Sequence, residues 1–345
     1  MKSKYVVTIG IPVFRARDYV RNTLLSALNQ TYPDIEFLVV DDCGNDGSME
    51  IIEDLQRTHV RGRHIRIVKN TQNLQVGYSR NRIIDEACGQ FLYFLDSDDI
   101  IEPDTIRLLL ENIEKYQAEV VYASYEVVDN VNGSPTRIYK KPSCLLHGHG
   151  QLALYALKNA SIFHVSVCNC LFRLDFLKRE GLRFIDAAFW EDMAFTYELL
   201  PKVSRAVLLP DITYHYILRP GSLSHYQDRE QLEKSEIMNN VSTVHYLKSQ
   251  CCLSVGESFL PYLCYNLQMS SFYIVCHILK HASRISPSFS SHELRDILQH
   301  PLGLTDILRF RSKRFQNLVL WMFGRLPVPL FLPTIWVMGK LKRAL

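Results

Sequence analysis

The chain holds no Cys-x-x-Cys pair. Its nine cysteines fall at positions 43, 88, 144, 168, 170, 251, 252, 264 and 276. An odd and scattered set argues against a disulfide framework and suits reduced, mostly buried thiols. A structural zinc site is disfavoured with it, because Cys168-Asn169-Cys170 and His147-Gly148-His149 lack the usual ligand spacing. Charge of either sign is not in excess: 39 Lys and Arg against 36 Asp and Glu leave a net +3, too slight to point to nucleic acid. No internal repeat or low-complexity tract is present. No secretory signal opens the chain, since Met1-Lys2-Ser3-Lys4 runs straight into a strand-like segment. These absences together point to a cytoplasmic protein. What remains is 47% hydrophobic and 22% charged, which permits a sizeable core, and 345 residues are enough for two domains.

The most telling segment is FLYFLDSDDI at residues 91–100. Five large apolar residues, Phe91 to Leu95, read as a strand buried on both faces of a parallel sheet. Asp96, Asp98 and Asp99 follow at its carboxyl end, where open α/β sheets bind ligands. Clustered carboxylates repel one another, and a hard divalent cation relieves that cost. The alternative is an acidic turn leading to a helix that opens at Glu102-Pro103-Asp104.

The first ~125 residues alternate strand and helix signals, which implies βαβ units and a mostly parallel sheet. Strands are expected at Tyr5–Ile11, Glu36–Val40, Ile65–Lys69, Phe91–Leu95 and Val120–Val128, and helices at 18–30, 49–58 and 79–87. Residues 130–150 read as a loop, residues 151–200 as mostly helical, and residues 206–217 as one or two short strands. Beyond 230 the pattern is helical, with a long apolar stretch at 257–281. The tail from 309 is basic and apolar, and Pro327, Pro329 and Pro333 interrupt it.

Five further clusters carry chemistry. Gly10-Ile11-Pro12-Val13-Phe14 ends the first strand, with Pro12 expected to stop the ladder. Asp41-Asp42 ends the second; such a carboxylate can accept hydrogen bonds from a base or ribose, or cap a turn. Arg80, in Gly77-Tyr78-Ser79-Arg80-Asn81, lies near an expected helix start, where it could meet phosphate or simply face solvent. Glu191 and Asp192 sit among bulky apolar residues and open a helix, as a carboxylate base in a partly dry cleft or as dipole compensation. His215 could touch metal or phosphate, or be a structural histidine. Arg219-Pro220-Gly221-Ser222 follows it.

Taken in order, PVF, VDDCGNDGS, GYSRN, FLDSDD, WED and RPGS resemble the family 2 glycosyltransferases of bacterial surface-polysaccharide type, over about residues 5–225. The resemblance implies an α/β GT-A fold, Rossmann-like, with a mostly parallel central sheet flanked by helices. It implies a catalytic domain at 1–229, divided into a nucleotide-binding half at about 1–125 and an acceptor half at about 126–229. A helical extension at 230–345 follows. It further implies an inverting enzyme using a nucleotide-sugar donor, usually a UDP-sugar, with Mg²⁺ or Mn²⁺, and a glycan or lipid-linked acceptor.

Carried over, Asp192 is the catalytic base with Glu191 beside it. Pro12, Phe14, Asp42, Arg80, Asp96 and Arg219 hold the nucleotide, and Asp98 and His215 the metal. The chain departs from the family pattern at Phe14-Arg15, at Cys43-Gly44-Asn45 and at Arg82-Ile83, all on the nucleotide side. It lacks the QxxRW motif of processive synthases, which favours single addition.

Two other classes share some of these features. A non-catalytic sugar-nucleotide or glycan binder would use the same fold, but the intact acids count against it. A nucleotidyltransferase would carry a Gly-rich, cationic phosphate loop, which residues 10–18 lack. Arg325 and the three prolines break the tail below the ~20 apolar residues a spanning helix needs. Its apolar and basic residues suit peripheral contact with the inner face of the cell membrane, or packing on protein.

Overall fold

The computed structural model describes residues 4–129, 135–160, 162–163, 165–187, 189–219 and 231–342. Asn130, Asn132, Gly133 and Ser134 of the expected loop, Pro220-Gly221-Ser222 and the expected boundary at 229/230 lie outside the described residues. The chain divides into two compact units, Met1–Leu152 with Ser161–Pro220, and Ala153–Ala160 with Gly221–Leu345.

The first unit runs β1 (Tyr5–Val13), α1 (Val20–Leu28), β2 (Ile35–Asp41), α2 (Ser48–Thr58), β3 (Ile65–Lys69), α3 (Gln75–Glu86) and β4 (Gly89–Phe94). It continues with β5 (Ile100–Ile101), α4 (Thr105–Lys115), β6 (Val120–Asp129), β7 (Pro135–Tyr139) and β8 (Cys144–His147), and α5 (Gln151–Lys158) begins in it. After α5 come β9 (Cys170–Arg173), α6 (Leu174–Arg179), α7 (Glu191–Leu199) and β10 (Arg205–Leu218). The sheet order is β3-β2-β1-β4-β9-β6-β10-β5, with β7 on β6 and β8 on β10. From β3 to β4 all neighbours are parallel, as the alternating pattern implies. Antiparallel β9 then joins β4 to β6, so the acceptor side of the sheet is mixed.

Burial explains the parallel half. Every residue of β2 is buried, and the apolar residues of β4 are too. Each large side chain so buried stabilises the fold by about 2–3 kcal/mol. The buried carboxylate within β2, Glu36, is satisfied by Thr8, by the Cys88 N–H and by Arg66 at 2.7, 2.9 and 2.9 Å.

Several expectations are corrected. Pro12 does not end its strand: it stays in β1 opposite Val40 of β2. Its missing N–H faces the β4 side, where pairing has already ended at Gly10 and Phe94, so no ladder bond is lost. α3 starts four residues earlier than expected, at Gln75, which puts Arg80 in its second turn and not near its start. The region read as loop contains the edge strands β7 and β8, whose many exposed side chains hide the strand pattern. β9 lies within the stretch expected to be helical, because four residues are too few to show a period. Residues 206–217 form part of one long strand, irregular between Leu208 and Tyr214, around Pro210.

The second unit contains β11 (Leu232–Glu233), α8 (Lys234–Gln250), α9 (Leu260–Lys280), β12 (Ile285–Ser286), α10 (Ser291–Ile297), α11 (Leu304–Leu308), α12 (Arg314–Phe323) and α13 (Val328–Leu341). α9 matches the apolar stretch expected at 257–281. Within this unit, Lys248 donates to the carbonyls of Ile297 and Gln299 at 2.9 and 2.8 Å, closing the end of α10. The prolines of the tail do not break it up: Pro327 caps α13, Pro329 lies in its first turn, and Pro333 is accommodated inside. Proline in a first turn removes only an N–H that has no helical partner.

Candidate active site

The site lies at the carboxyl ends of β1, β2 and β4, with α7 and the end of β10 completing it. Two loops form the first wall. Ser48 accepts from the Ala16 N–H and Asp46 from the Arg17 N–H, each at 3.0 Å, so the turn after β2 is fastened to the turn after β1. Gly44 is required there, since a Cβ would stand 2.5 Å from the Arg15 backbone nitrogen. Phe14 is half-buried under the Arg15 guanidinium, 5.1 Å from the ring centre. Asp42 is buried, and one of its oxygens accepts from Asn70 and from the Leu74 N–H at 2.7 and 2.9 Å.

A buried cation organises the centre. Arg80 donates to Glu191 at 2.7 Å and to Asp96 at 2.8 Å, so one guanidinium joins the end of β4 to the start of α7. Its charge is secure: burial opposes it, but Asp96 and then Glu191 hold its pKa well above the ordinary arginine value. The Arg80 guanidinium lies over the Phe184 ring at 5.5 Å. Asn81 fixes the same segment with two bonds to the Phe184 backbone, each 2.8 Å. Gly77 lets α3 approach, because a Cβ there would meet the Ile185 carbonyl at 3.1 Å and Glu191 at 3.4 Å. The GYSRN segment therefore grips Phe184, Ile185 and Glu191 and so positions the acid pair. Losing the two Asn81 bonds in Asn81→Ala should lower stability by about 1–2 kcal/mol, measured by urea unfolding.

The acids differ in state. Burial pushes Asp192 up to about 7, with Glu191 adding repulsion and Arg80 opposing it. Glu191 is also raised by burial, against the pull of Arg80. Trp190 caps α7 in the left-handed region at φ 62°, an uncommon conformation for a bulky residue. Arg15, Cys43, Asn45, Gln75 and Asn169 are also at positive φ, so strained backbone gathers around this site.

The strand-end aspartates have separate roles. Asp96 accepts from Arg80 and, at its other oxygen, from the Cys168 thiol at 3.2 Å. Cys168 is brought there by a bridge to Phe94. Asp98 forms an ion pair with Arg219, whose guanidinium also lies 5.3 Å from the Tyr19 ring centre. Burial, then Asp96, raise the pKa of Asp98, and Arg219 opposes them. Asp99 is buried; it accepts from the Tyr214 hydroxyl and, at 2.8 Å, from the Ile217 N–H. Asp99 thereby ties the end of β10 to this turn and sets Arg219 beside Asp98.

A chain with these motifs in this arrangement matches the profile "Glycosyl transferase family 2" over residues 8–181, half of its length. The chain belongs to glycosyltransferase family 2. TuaG of Bacillus subtilis, named for teichuronic acid biosynthesis, is 25% identical over 72% of this chain and 93% of its own. The succinoglycan biosynthesis protein ExoO of Rhizobium meliloti is 28% identical over 63% and 62%. The poly(ribitol-phosphate) β-N-acetylglucosaminyltransferase TarS of Staphylococcus aureus is 26% identical over 61% of this chain and 35% of its own. The crystal structure of TarS 1–349 with UDP-GlcNAc aligns with a TM-score of 0.58 at 17% identity, over 92% of this chain and 90% of that one. The fold is thus the GT-A fold of this family.

The His215 ring nitrogens are bonded to Glu126 and Glu102 at 2.9 and 2.7 Å, so in this structure it braces β10 against its neighbours. The parallel register that sets His215 opposite Glu126 is the cause. Among the described residues no group of three or more His, Cys, Asp or Glu is arranged to hold a metal. Asp98 nevertheless fits a hard cation. Mg²⁺ keeps several waters and takes one or two carboxylates together with substrate phosphates. Burial, and after it the repulsion from Asp96, raise the Asp98 pKa, and both are what a cation would relieve. Such an ion would have to share Asp98 with Arg219.

Asn81 stands inside the GYSRN motif and is legible as part of it. Cys168 and Phe184 carry no local signal.

Proposed function

We propose that this family 2 member is an inverting glycosyltransferase that moves a hexosyl or N-acetylhexosaminyl group from a UDP-sugar to a hydroxyl of a glycan or lipid-linked acceptor. Bacterial surface-polysaccharide assembly is the setting we infer. The observation that carries the reading is the Arg80 bridge from Asp96 to Glu191, which holds Asp192, with its pKa near 7, beside the strand-end acids. The named roles of TuaG, ExoO and TarS, and the UDP-GlcNAc and UDP complexes of TarS, support the donor and the setting.

In this mechanism Pro12, Phe14 and Asp42 line the nucleotide side. Asp96 lies on that side too, oriented at both oxygens by Arg80 and Cys168. Asp98 would hold Mg²⁺ or Mn²⁺, and such an ion would supply positive charge to neutralise the diphosphate. Arg219, already at Asp98, supplies a further positive charge toward that group. Asp192 accepts the proton of the acceptor hydroxyl as its oxygen attacks the anomeric carbon. The bond from that carbon to the diphosphate breaks on the opposite face, so the configuration inverts. Arg80 and Glu191 act on Asp192 by position and charge.

The test is release of free nucleoside diphosphate from a panel of UDP-, GDP- and dTDP-sugars, with Mg²⁺, with Mn²⁺ and with chelator. Release from a UDP-sugar that needs divalent metal is expected; a chain inert toward the whole panel contradicts the reading. Asp98→Ala should abolish transfer and the metal dependence of nucleotide binding. Substantial metal-stimulated turnover in that variant would remove Asp98 from the metal role.

A further inference from the structure

The end of the second unit has an unusual surface. From residue 307 to 345 the sequence has eight Lys or Arg and no Asp or Glu, against +3 for the whole chain. α13 packs on α9 and α10, with Phe331 and Ile335 fully buried. At about 100° per residue, Gly339 falls on the same side, and it too is buried. The opposite arc is almost entirely apolar. Leu330, Trp336, Val337 and Leu341 are 59, 50, 52 and 73% exposed. Pro333 is exposed among them, and Lys340 is the single charge on the arc.

We propose that this arc of α13 is an anchor that lies in the interface of an anionic lipid bilayer. Apolar side chains in such a row are costly in water and mark a contact surface. Charge decides which contact. The segment carries only cations, so two copies meeting through it would bring like charges together, whereas an anionic leaflet complements it. The Lys340 ammonium stands 3.7 Å from the Trp336 ring centre, and the Arg325 guanidinium 3.9 Å from that of Trp321. A tryptophan with a cation over its face suits the headgroup level, where the ring is half-immersed and the charge meets phosphate. Among the described residues no helix is long and apolar enough to cross a membrane, so α13 lies on the surface. A lipid-linked acceptor would then be met within the plane of the bilayer, a consequence that rests on the function proposed above.

The test is co-sedimentation of the full-length chain at low salt with phosphatidylglycerol-containing vesicles and with phosphatidylcholine vesicles. The wild type should sediment with the first and stay in solution with the second. Lys340→Glu with Lys342→Glu should cut the bound fraction at least ~10-fold, as expected from the weight of each cation near the surface. Leu330→Ser with Val337→Ser and Leu341→Ser should do the same with an unchanged melting temperature, since all three side chains are exposed. Vesicles should blue-shift tryptophan emission, and Trp336→Phe should weaken that shift while binding persists. Donor hydrolysis without vesicles should be the same in all variants, which separates this proposal from the catalytic one. Wild type that stays in solution with anionic vesicles overturns the anchor. So does a vesicle-independent dimer that the serine variant converts to monomer.

Discussion

Asp192→Asn should lower turnover at least ~10²-fold, the scale of a lost general base, while nucleotide binding stays close to wild type. The reason is the paired environment of the carboxylate: burial and Glu191 raise its pKa to about 7, close to the pH at which it must accept a proton. The wild-type kcat/KM should rise with pH through about 7, as Asp192 loses its proton, and the residual activity of the variant should lack that limb. Stability should move the other way. The folded pKa is raised from 3.8 to about 7, so the cost of Asp192 to the fold is absent below about pH 4, grows as pH rises and is complete above about pH 7. Asp192→Asn should therefore match or exceed the wild-type melting temperature at pH 8, with the difference shrinking as pH falls from about 7 and vanishing only below about pH 4. A loss confined to nucleotide affinity would count against the role of Asp192 as base.

Arg80→Met should be the most damaging single change to the fold of the first unit. The side chain is buried, and it is ion-paired to Glu191 and Asp96. Removing one partner of a buried ion pair costs about 3–5 kcal/mol, because the remaining charge has no compensation. Urea unfolding at pH 8 should show the full loss. The loss should shrink as pH falls, because Glu191, whose pKa burial already raises, gains its proton in the folded state and no longer needs a cation. Arg80→Lys should recover only part of it, since one ammonium cannot reproduce the fork that reaches two carboxylates. Equal losses at pH 8 and pH 5 would mean that packing on Phe184, not charge, is what Arg80 contributes.

The parallel half of the sheet was legible because β1, β2 and β4 are apolar runs that end in polar turns, and burial on both faces demands that composition. The acids of the site were legible for the same reason. Asp42, Asp96 and Asp98 interrupt apolar segments at the ends of strands, where only a functional or capping role explains them. What joins them was not legible. Arg80 meets Glu191 across 111 residues and Asp96 across 16, and no local pattern encodes either distance. Cys168 looks in the sequence like one more buried thiol, and its bond to Asp96 depends on the bridge to Phe94. The partners of His215, Glu102 and Glu126, are supplied by loop and strand neighbours that only the sheet register brings near. The tail prolines looked like breakers because their position relative to a helix start cannot be known before that start is placed.

The stereochemistry of transfer tests the central claim most directly. The first-formed sugar, released by slow hydrolysis of an α-linked UDP-sugar or joined to an acceptor, can be followed by proton NMR before it mutarotates. A single displacement with Asp192 as base predicts the β-anomer first. An α-anomer as first product would contradict the mechanism, because retention needs a second displacement or attack on the face of the leaving group.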